Sequence, residues 1–479
     1  MSSPLLWILS PALLGVGLLF YRGKYQWLPT LIAGIACLLL AWIAWQLPIG
    51  VVMRLGTLNL EISPSLVVLG RSFTLGSAHT PLLTLLYLFQ ALWLFGGYLA
   101  RPGALFTPLT LIGLALLVAA LAVQPFLYAA LLICMAALLL IPALLREKAR
   151  PGLGLQRYLQ FQVFAVPFIL FTGWILSGVE ANPSNTMLVL RASMLLALGF
   201  GFLLALFPFH SWIPLLGGES HPYVFGYTVF FLPATGMIFA LSFFDRYAWL
   251  REANFSAPLL LAGGLMALLG GLWAAHERQL GRMFGYAAVL LSGYCVQAIG
   301  LGGAAGVQAL FALLIGQGLA VWAWATALSR LPQQEATTPE GLTAQAPSQP
   351  LTITVLLVAL ASLAGLPLLG VFHGRLAVLD ETVVQAPWAA LAALAGSLGL
   401  LAAGYRLLAA TLAAQGQRAK GWVEEAQPAD NSKSSDLQHI YIWGFAAFSA
   451  ILLFGSGLFP QLFLGAVPEL AALFSQLMR

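Results

Sequence analysis

Apolar runs of about twenty residues, separated by short polar interruptions, recur along the whole chain. They lie near 4–20, 27–47, 81–100, 104–122, 125–145, 158–178, 188–209, 222–245, 257–275, 283–302, 306–329, 351–372, 386–412 and 438–460. A helix rises 1.5 Å per residue, so a run of about this length spans the ~30 Å hydrocarbon core of a bilayer. The pattern predicts an all-α polytopic membrane protein with about fourteen transmembrane helices. A short amphipathic surface helix is expected over 461–479. Three polar segments break the rhythm. In 48–80, LNLEI alternates apolar with polar residues, and SPS then precedes LVVLGRSFTL, which predicts a short hairpin on the membrane face. Segments 332–350 and 413–437 are rich in Gln, Ala, Pro, Ser and charge, and read as loops.

Composition agrees with this reading. The chain is 61% hydrophobic and 8% charged, with a mean hydropathy of +0.92, whereas soluble domains carry about 25% charged residues. The basic residues Arg22 and Lys24 follow the first apolar run, the reverse of a signal peptide. With the N-terminus outside, thirteen Lys and Arg fall in inside segments and six in outside segments, which places both termini outside by the positive-inside rule. The net charge of +5 comes from these span-end residues and gives no reason to invoke nucleic acid. Cys37, Cys134 and Cys295 lie far apart in apolar runs and form no metal-ligand spacing, so they read as small core residues and no metal or other cofactor is expected.

All four lysines, Lys24, Lys148, Lys420 and Lys433, lie between runs. Ionisable residues at membrane depth are expensive, so those that remain there are functional candidates. Arg375 is foremost, in SLAGLPLLGVFHGRL (362–376), where Gly365, Pro367, Gly370 and Gly374 interrupt the helical run. Broken helix in a membrane is tolerated where it is enclosed by protein or lines a wet cavity. The segment reads either as a hydrated cationic site, with His373 able to titrate, or as an Arg snorkelling from a span end. Arg406, in AAGYRLLAATL, either lines the same route or anchors its span. Asp380 and Glu381 are counter-charges to Arg375 or part of a solvated loop. A second polar island, FPFHSWIPLLGGESHP (207–222), places His210 and Trp212 after Pro208, and Glu219 and His221 in a turn that Gly217 and Gly218 allow to bend.

These pieces together resemble a known family. FPFHSWIPLLGGESHP is similar to the PFHxWLPDxxxxxPTP signature of the antiporter-like membrane subunits of respiratory complex I, whose superfamily also supplies subunits to Mrp-type cation/proton antiporters and membrane-bound hydrogenases. HERQLGRMFGYAAVLLSGY (276–294) resembles xxxxDLKRLLAYSSIxxxGY, SLAGLPLLGVFHGRL resembles SLAGIPPLAGFFGKF, and GYRL (404–407) resembles the YYLR element of the penultimate span. Among the complex I subunits the chain is most similar, in length and single-core layout, to the smallest antiporter-like one.

The resemblance implies two inverted five-helix repeats, over about 104–246 and 247–412, each with one broken helix. Residues 1–103 would add three further spans, and 413–479 a loop, the last span and a tail. It implies a proton pathway that includes Arg375, His373, His210, Arg406 and Glu219, and a role in a complex I-type NADH:quinone oxidoreductase. Partners would be other membrane subunits, a peripheral redox arm and the lipid bilayer of a bacterial plasma membrane, with quinone handled elsewhere in the assembly. Two other implied roles are an Mrp-type sodium/proton antiporter subunit and a non-transporting scaffold in a hydrogenase-like or carbon-uptake complex. The chain also departs from the family. The run 124–145 has no acid where the family has a Glu. Leu203 and Pro233 stand where the family has Lys, and Leu215 replaces the signature Asp. A degenerate first-repeat proton relay is therefore expected, with Arg375 in place of a second-repeat Lys.

Overall fold

The computed structural model describes residues 2–478 except 24, 26, 48, 51, 56–57, 69, 147–149, 183–184, 253–254, 332–348 and 420–433. All four lysines and most of the two polar loops thus lie outside the described residues. A π-helical turn, Leu5–Leu9, leads into α1 (Ser10–Leu19), and α2 (Trp27–Gln46) follows. Two antiparallel hairpins come next, β1 (Val52–Leu55) with β2 (Leu58–Glu61), and β3 (Ser65–Val68) with β4 (Arg71–Thr74). Gly70 takes φ +74° in the second hairpin turn, a conformation that costs glycine least. After α3 (Thr80–Ala100) and α4 (Phe106–Ala122), a two-residue strand β5 (Val123–Gln124) pairs with β4 and so ties the hairpin to the body.

Then come α5 (Ala129–Leu139), α6 (Ile141–Leu144), α7 (Leu153–Ala181), α8 (Thr186–Leu203), α9 (Trp212–Glu219), α10 (Pro222–Arg246) and α11 (Ala248–Glu252). The second half holds α12 (Ser256–His276), α13 (Leu280–Leu301), α14 (Gly303–Arg330), α15 (Pro350–Ala364), α16 (Val371–Gln385), α17 (Pro387–Ala419) and α18 (Ser434–Leu458). Two short helices, α19 (Pro460–Leu464) and α20 (Val467–Ala471), end the chain.

Among the described residues, eleven helices are long and apolar enough to cross a membrane. Three of the fourteen expected runs form shorter apolar helices, Leu5–Leu19, Phe106–Ala122 and Pro350–Ala364. Local chemistry shortens two of them. Val123 turns extended and pairs with β4, which ends α4, and Gly365 at φ +82° ends α15. The tail forms two short helices where the sequence predicts one short amphipathic surface helix, with Leu462 exposed on one side. It folds onto the body through Val467, Leu470, Ala471 and Phe474, and the backbone N–H groups of Gln476 and Leu477 donate to the Asp245 carboxylate at 2.7 and 3.1 Å.

The centre of the molecule is α10, α13 and α14, whose most apolar stretches are 83–89% buried, against about a third or less for α2, α7, α8, α17 and α18. The outer helices present Phe171, Met194, Trp42 and Leu398 outward. A helix apolar on every face but covered on one only is what lipid or a neighbouring subunit requires. Small residues set the closest crossings. A Cβ on Gly271 of α12 would collide with the Gly396 backbone of α17, and one on Gly374 of α16 would meet the Leu313 backbone of α14 at 2.7 Å.

Candidate functional site

The two polar islands are both helix breaks, and they are built differently. The second is the more complete. α15 ends at Ala364, residues 365–370 turn, and α16 starts at Val371. The break frees the last carbonyls of α15, which carry the negative end of a helix dipole. Arg375, one turn into α16, fills that position. It is buried, its Nη1 donates to the Ala364 carbonyl at 2.5 Å and to Ser397 Oγ at 2.9 Å, and its Nη2 donates to the Leu363 carbonyl. The guanidinium also lies 4.5 Å from the centre of the Tyr294 ring. Gly365 has to be glycine, since a Cβ there would stand 2.7 Å from Arg375 Cδ on a left-handed backbone.

Two of these partners were missed from the sequence. Ser397 sits on α17 and accepts from Arg375 while donating to the Ala393 carbonyl at 3.0 Å. Tyr294 donates to the same carbonyl at 3.1 Å and lies 2.8 Å from Ser397 Oγ. Tyr294 closes the 276–294 motif, so its position was visible, but its role as the face beneath a guanidinium was not. Nor did pattern reasoning single out Gln317 of α14. Its amide lies 3.4 Å from Cys295 Sγ and 3.3 Å from the Leu291 carbonyl. Gln317, Ser292 and Pro233 line a cavity of about 20 Å³, room for a single water.

The remaining second-island candidates do not gather around Arg375. His373 is two residues earlier on the same helix, which turns it to another face, and its Nδ1 is buried with no hydrogen-bond partner among the described residues. Asp380 and Glu381 are exposed and further along α16. Arg406 donates through Nη2 to the Glu277 carbonyl, just past the end of α12. It lies nine residues beyond Ser397 on α17, roughly 13 Å along the axis.

In the first island α8 ends at Leu203, and Ala205 at φ +53° starts the break. Leu203 is buried, and its carbonyl accepts from Gln162 Nε2 at 3.4 Å. His210 stacks on Phe207 at 5.8 Å, with Nδ1 buried and unpartnered among the described residues. Glu219 serves as a cap. Its two carboxylate oxygens accept from the N–H groups of Gly154 and Leu155, at 2.9 and 3.2 Å, and so close the N-terminus of α7. His221 accepts from the Tyr223 N–H at 3.3 Å at the start of α10. Burial, then the nearby Arg146 charge, pulls its pKa down to about 4. Arg146 itself donates to the Ser220 carbonyl at 2.9 Å. Leu215 lies on α9, and Pro233 lies inside α10. The turn is thus a set of helix caps, while the second island encloses a buried cation.

The sequence profile of the family described as NADH:quinone oxidoreductase/Mrp antiporter matches residues 164–401, the stretch that contains both breaks. NADH-quinone oxidoreductase subunit 14 of Thermus thermophilus is 29% identical over 347 residues, 70% of this chain and 77% of that protein. Subunit N of the Rhodopseudomonas palustris enzyme is 29% identical over 222 residues, and the chain spans only 46% of that relative's length. Among solved structures, a chain of respiratory complex I from Thermus thermophilus superposes with a TM-score of 0.71 at 23% identity, over 99% of this chain and 100% of that one. A chain of the Mrp complex from Dietzia sp. superposes with a TM-score of 0.72 at 16% identity, over 98% and 97%.

Proposed function

Because the chain belongs to the antiporter-like membrane subunits of the NADH:quinone oxidoreductase/Mrp family, we propose that it is a proton-translocating subunit of a complex I-type NADH:quinone oxidoreductase with no redox centre of its own. It sits in a bacterial plasma membrane with both termini outside, beside other membrane subunits, while a peripheral arm and a quinone site elsewhere in the assembly carry the electrons. The observation that carries the reading is the Arg375 cradle. A guanidinium is hard to deprotonate, so Arg375 does not itself shuttle protons. Held against carbonyls in a low-dielectric interior, it sets a fixed positive potential on any proton moving through nearby water. His373, whose Nδ1 has no hydrogen-bond partner among the described residues, is the ionisable side chain nearest in sequence to Arg375 on the same helix, and in this proposal a half-channel leads from there to the outside.

The first repeat is degenerate in this proposal. Leu203 and Pro233 offer no titratable group, and Gln162, Ser292 and Gln317 supply neutral polarity in their vicinity. Proton transfer past that point needs water or a neighbouring subunit. The same loss of titratable groups favours, as a second reading, a scaffold in a related membrane complex, and the Dietzia likeness keeps an Mrp-type antiporter subunit in view.

The test is purification of the tagged protein in gentle detergent, with mass spectrometry of what accompanies it. Flavin and iron–sulfur subunits in stoichiometric amounts are expected. Small membrane subunits without redox proteins would overturn the complex I assignment in favour of a secondary antiporter.

A further inference from the structure

A cavity of about 800 Å³ opens where α1 and α3 end and where α2 and α4 begin. It is far from Arg375 in the chain and takes no part in the proposed proton route. Arg22 and Arg101 line it, and Tyr25, Trp27 and Tyr98 form its aromatic wall. No Asp or Glu is among its described lining residues, and neither guanidinium has a hydrogen-bond or ion-pair partner among the described residues. Arg330, at the end of α14, lies within electrostatic reach of Arg101, and its Nε is buried with no hydrogen-bond partner among the described residues. Two like charges line the concavity and a third acts on one of them from nearby, so the arrangement favours an anion.

The cavity belongs to the arginine-rich end of the helices, which also carries Arg150 and Arg157. Trp27, Tyr25 and Tyr98 are each about half exposed there, at 46%, 57% and 48%, as expected of aromatic rings at headgroup level. Snorkelling accounts for one arginine at a span end, but not for two lining a pocket between four helices with a third beside it. We propose that this cavity binds the phosphate-bearing headgroup of an anionic phospholipid, with Arg22 and Arg101 as the phosphate donors and the aromatic wall against the glycerol and upper acyl carbons. Basic pockets between transmembrane helices are suited to such headgroups, and the arginine fork matches phosphate oxygens.

The test uses the full-length protein with its accompanying subunits, delipidated in detergent and titrated with phosphatidylglycerol, phosphatidylcholine or inorganic phosphate, with retained lipid read by native mass spectrometry. Phosphatidylglycerol is expected to bind in preference to phosphatidylcholine, and millimolar inorganic phosphate is expected not to displace it. Removing one arginine, as in Arg101→Gln, is expected to weaken phosphatidylglycerol roughly 5-fold, and Arg22→Gln with Arg101→Gln about 30-fold. Arg101→Lys, which keeps the charge, serves as the folding control and should stay within a few-fold of the native chain. Equal binding of the two lipids, unchanged binding by the double variant, or displacement by inorganic phosphate would each overturn the lipid assignment.

Discussion

At the scale of single residues, Arg375 joins the sequence to the chemistry. Among the described residues no carboxylate pairs with its charge. Two backbone carbonyls, one hydroxyl and one aromatic face share it. Such a site depends on the helix break as much as on the side chain, because an unbroken helix would have spent those carbonyls internally. Arg375→Ala leaves them buried without donors, at about 1–3 kcal/mol each. We expect that variant to lose proton pumping or to fail to assemble, and Arg375→Lys to be milder because an ammonium still reaches carbonyls. Proton flux in proteoliposomes, together with the yield of assembled complex, checks this. Normal values of both in Arg375→Ala would remove the cationic site from the mechanism.

At the scale of elements, two junctions carry predictions. The α12–α17 crossing depends on glycine, since Gly271 and Gly396 bring their backbones into direct contact. Gly271→Val should force the helices apart at roughly 1–3 kcal/mol or more and lower the melting temperature of the detergent-solubilised protein. Gly444→Val, in α18, has nothing within 4 Å of its Cβ and should not. Equal effects would mean that the crossing is not the weak point. The turn before α10 carries the second prediction. His221 is held neutral, with its folded pKa of about 4 below the usual 6.5. Its contribution is present above pH 6.5 and is lost as pH falls from there toward 4. A difference of that size corresponds to ~3 kcal/mol. The melting temperature should therefore drop between pH 7 and pH 5, and His221→Asn, which keeps a short acceptor at the cap, should flatten the drop. Parallel pH profiles for the two proteins would show that another group sets the acid limb.

At the scale of the whole molecule, the issue is which way the bundle faces and what covers it. By the positive-inside rule, the uneven distribution of Lys and Arg predicts that the Arg150 end faces inside and the β3–β4 hairpin outside. Cys37, Cys134 and Cys295 are all buried and free, so single introduced thiols can report orientation without first removing the native ones. Ser65→Cys should react with an impermeant maleimide from the outside of intact cells, and Arg150→Cys only after the membrane is opened. The reverse pattern would invert the topology and, with it, the leaflet proposed for the arginine-lined cavity. The poorly covered α7 and α8 are the faces available to lipid or to neighbouring subunits, in keeping with a chain whose relatives are parts of larger assemblies.

The sequence alone determined the solvent of this protein, its helical class, the two break points and the single basic residue beside the second break. Those features follow from local physics: the length of an apolar run, the cost of a charge in hydrocarbon, and the backbone limits of proline and glycine. A single short hairpin within 48–80 followed from alternation and turn residues, but its division into two hairpins, β1–β2 and β3–β4, and the tie of β4 to β5 at 123–124 did not. Only the tertiary structure decided what each polar residue touches. It made Glu219 a cap for α7, turned Arg406 to the end of α12, and set His373 on a different face from Arg375. It also brought Tyr294 and Ser397, from two other helices, to the guanidinium. These are contacts across 65 to 129 residues of chain for Glu219 and Arg406, and no local pattern encodes them. Burial of a polar group demands a partner, but packing chooses which one.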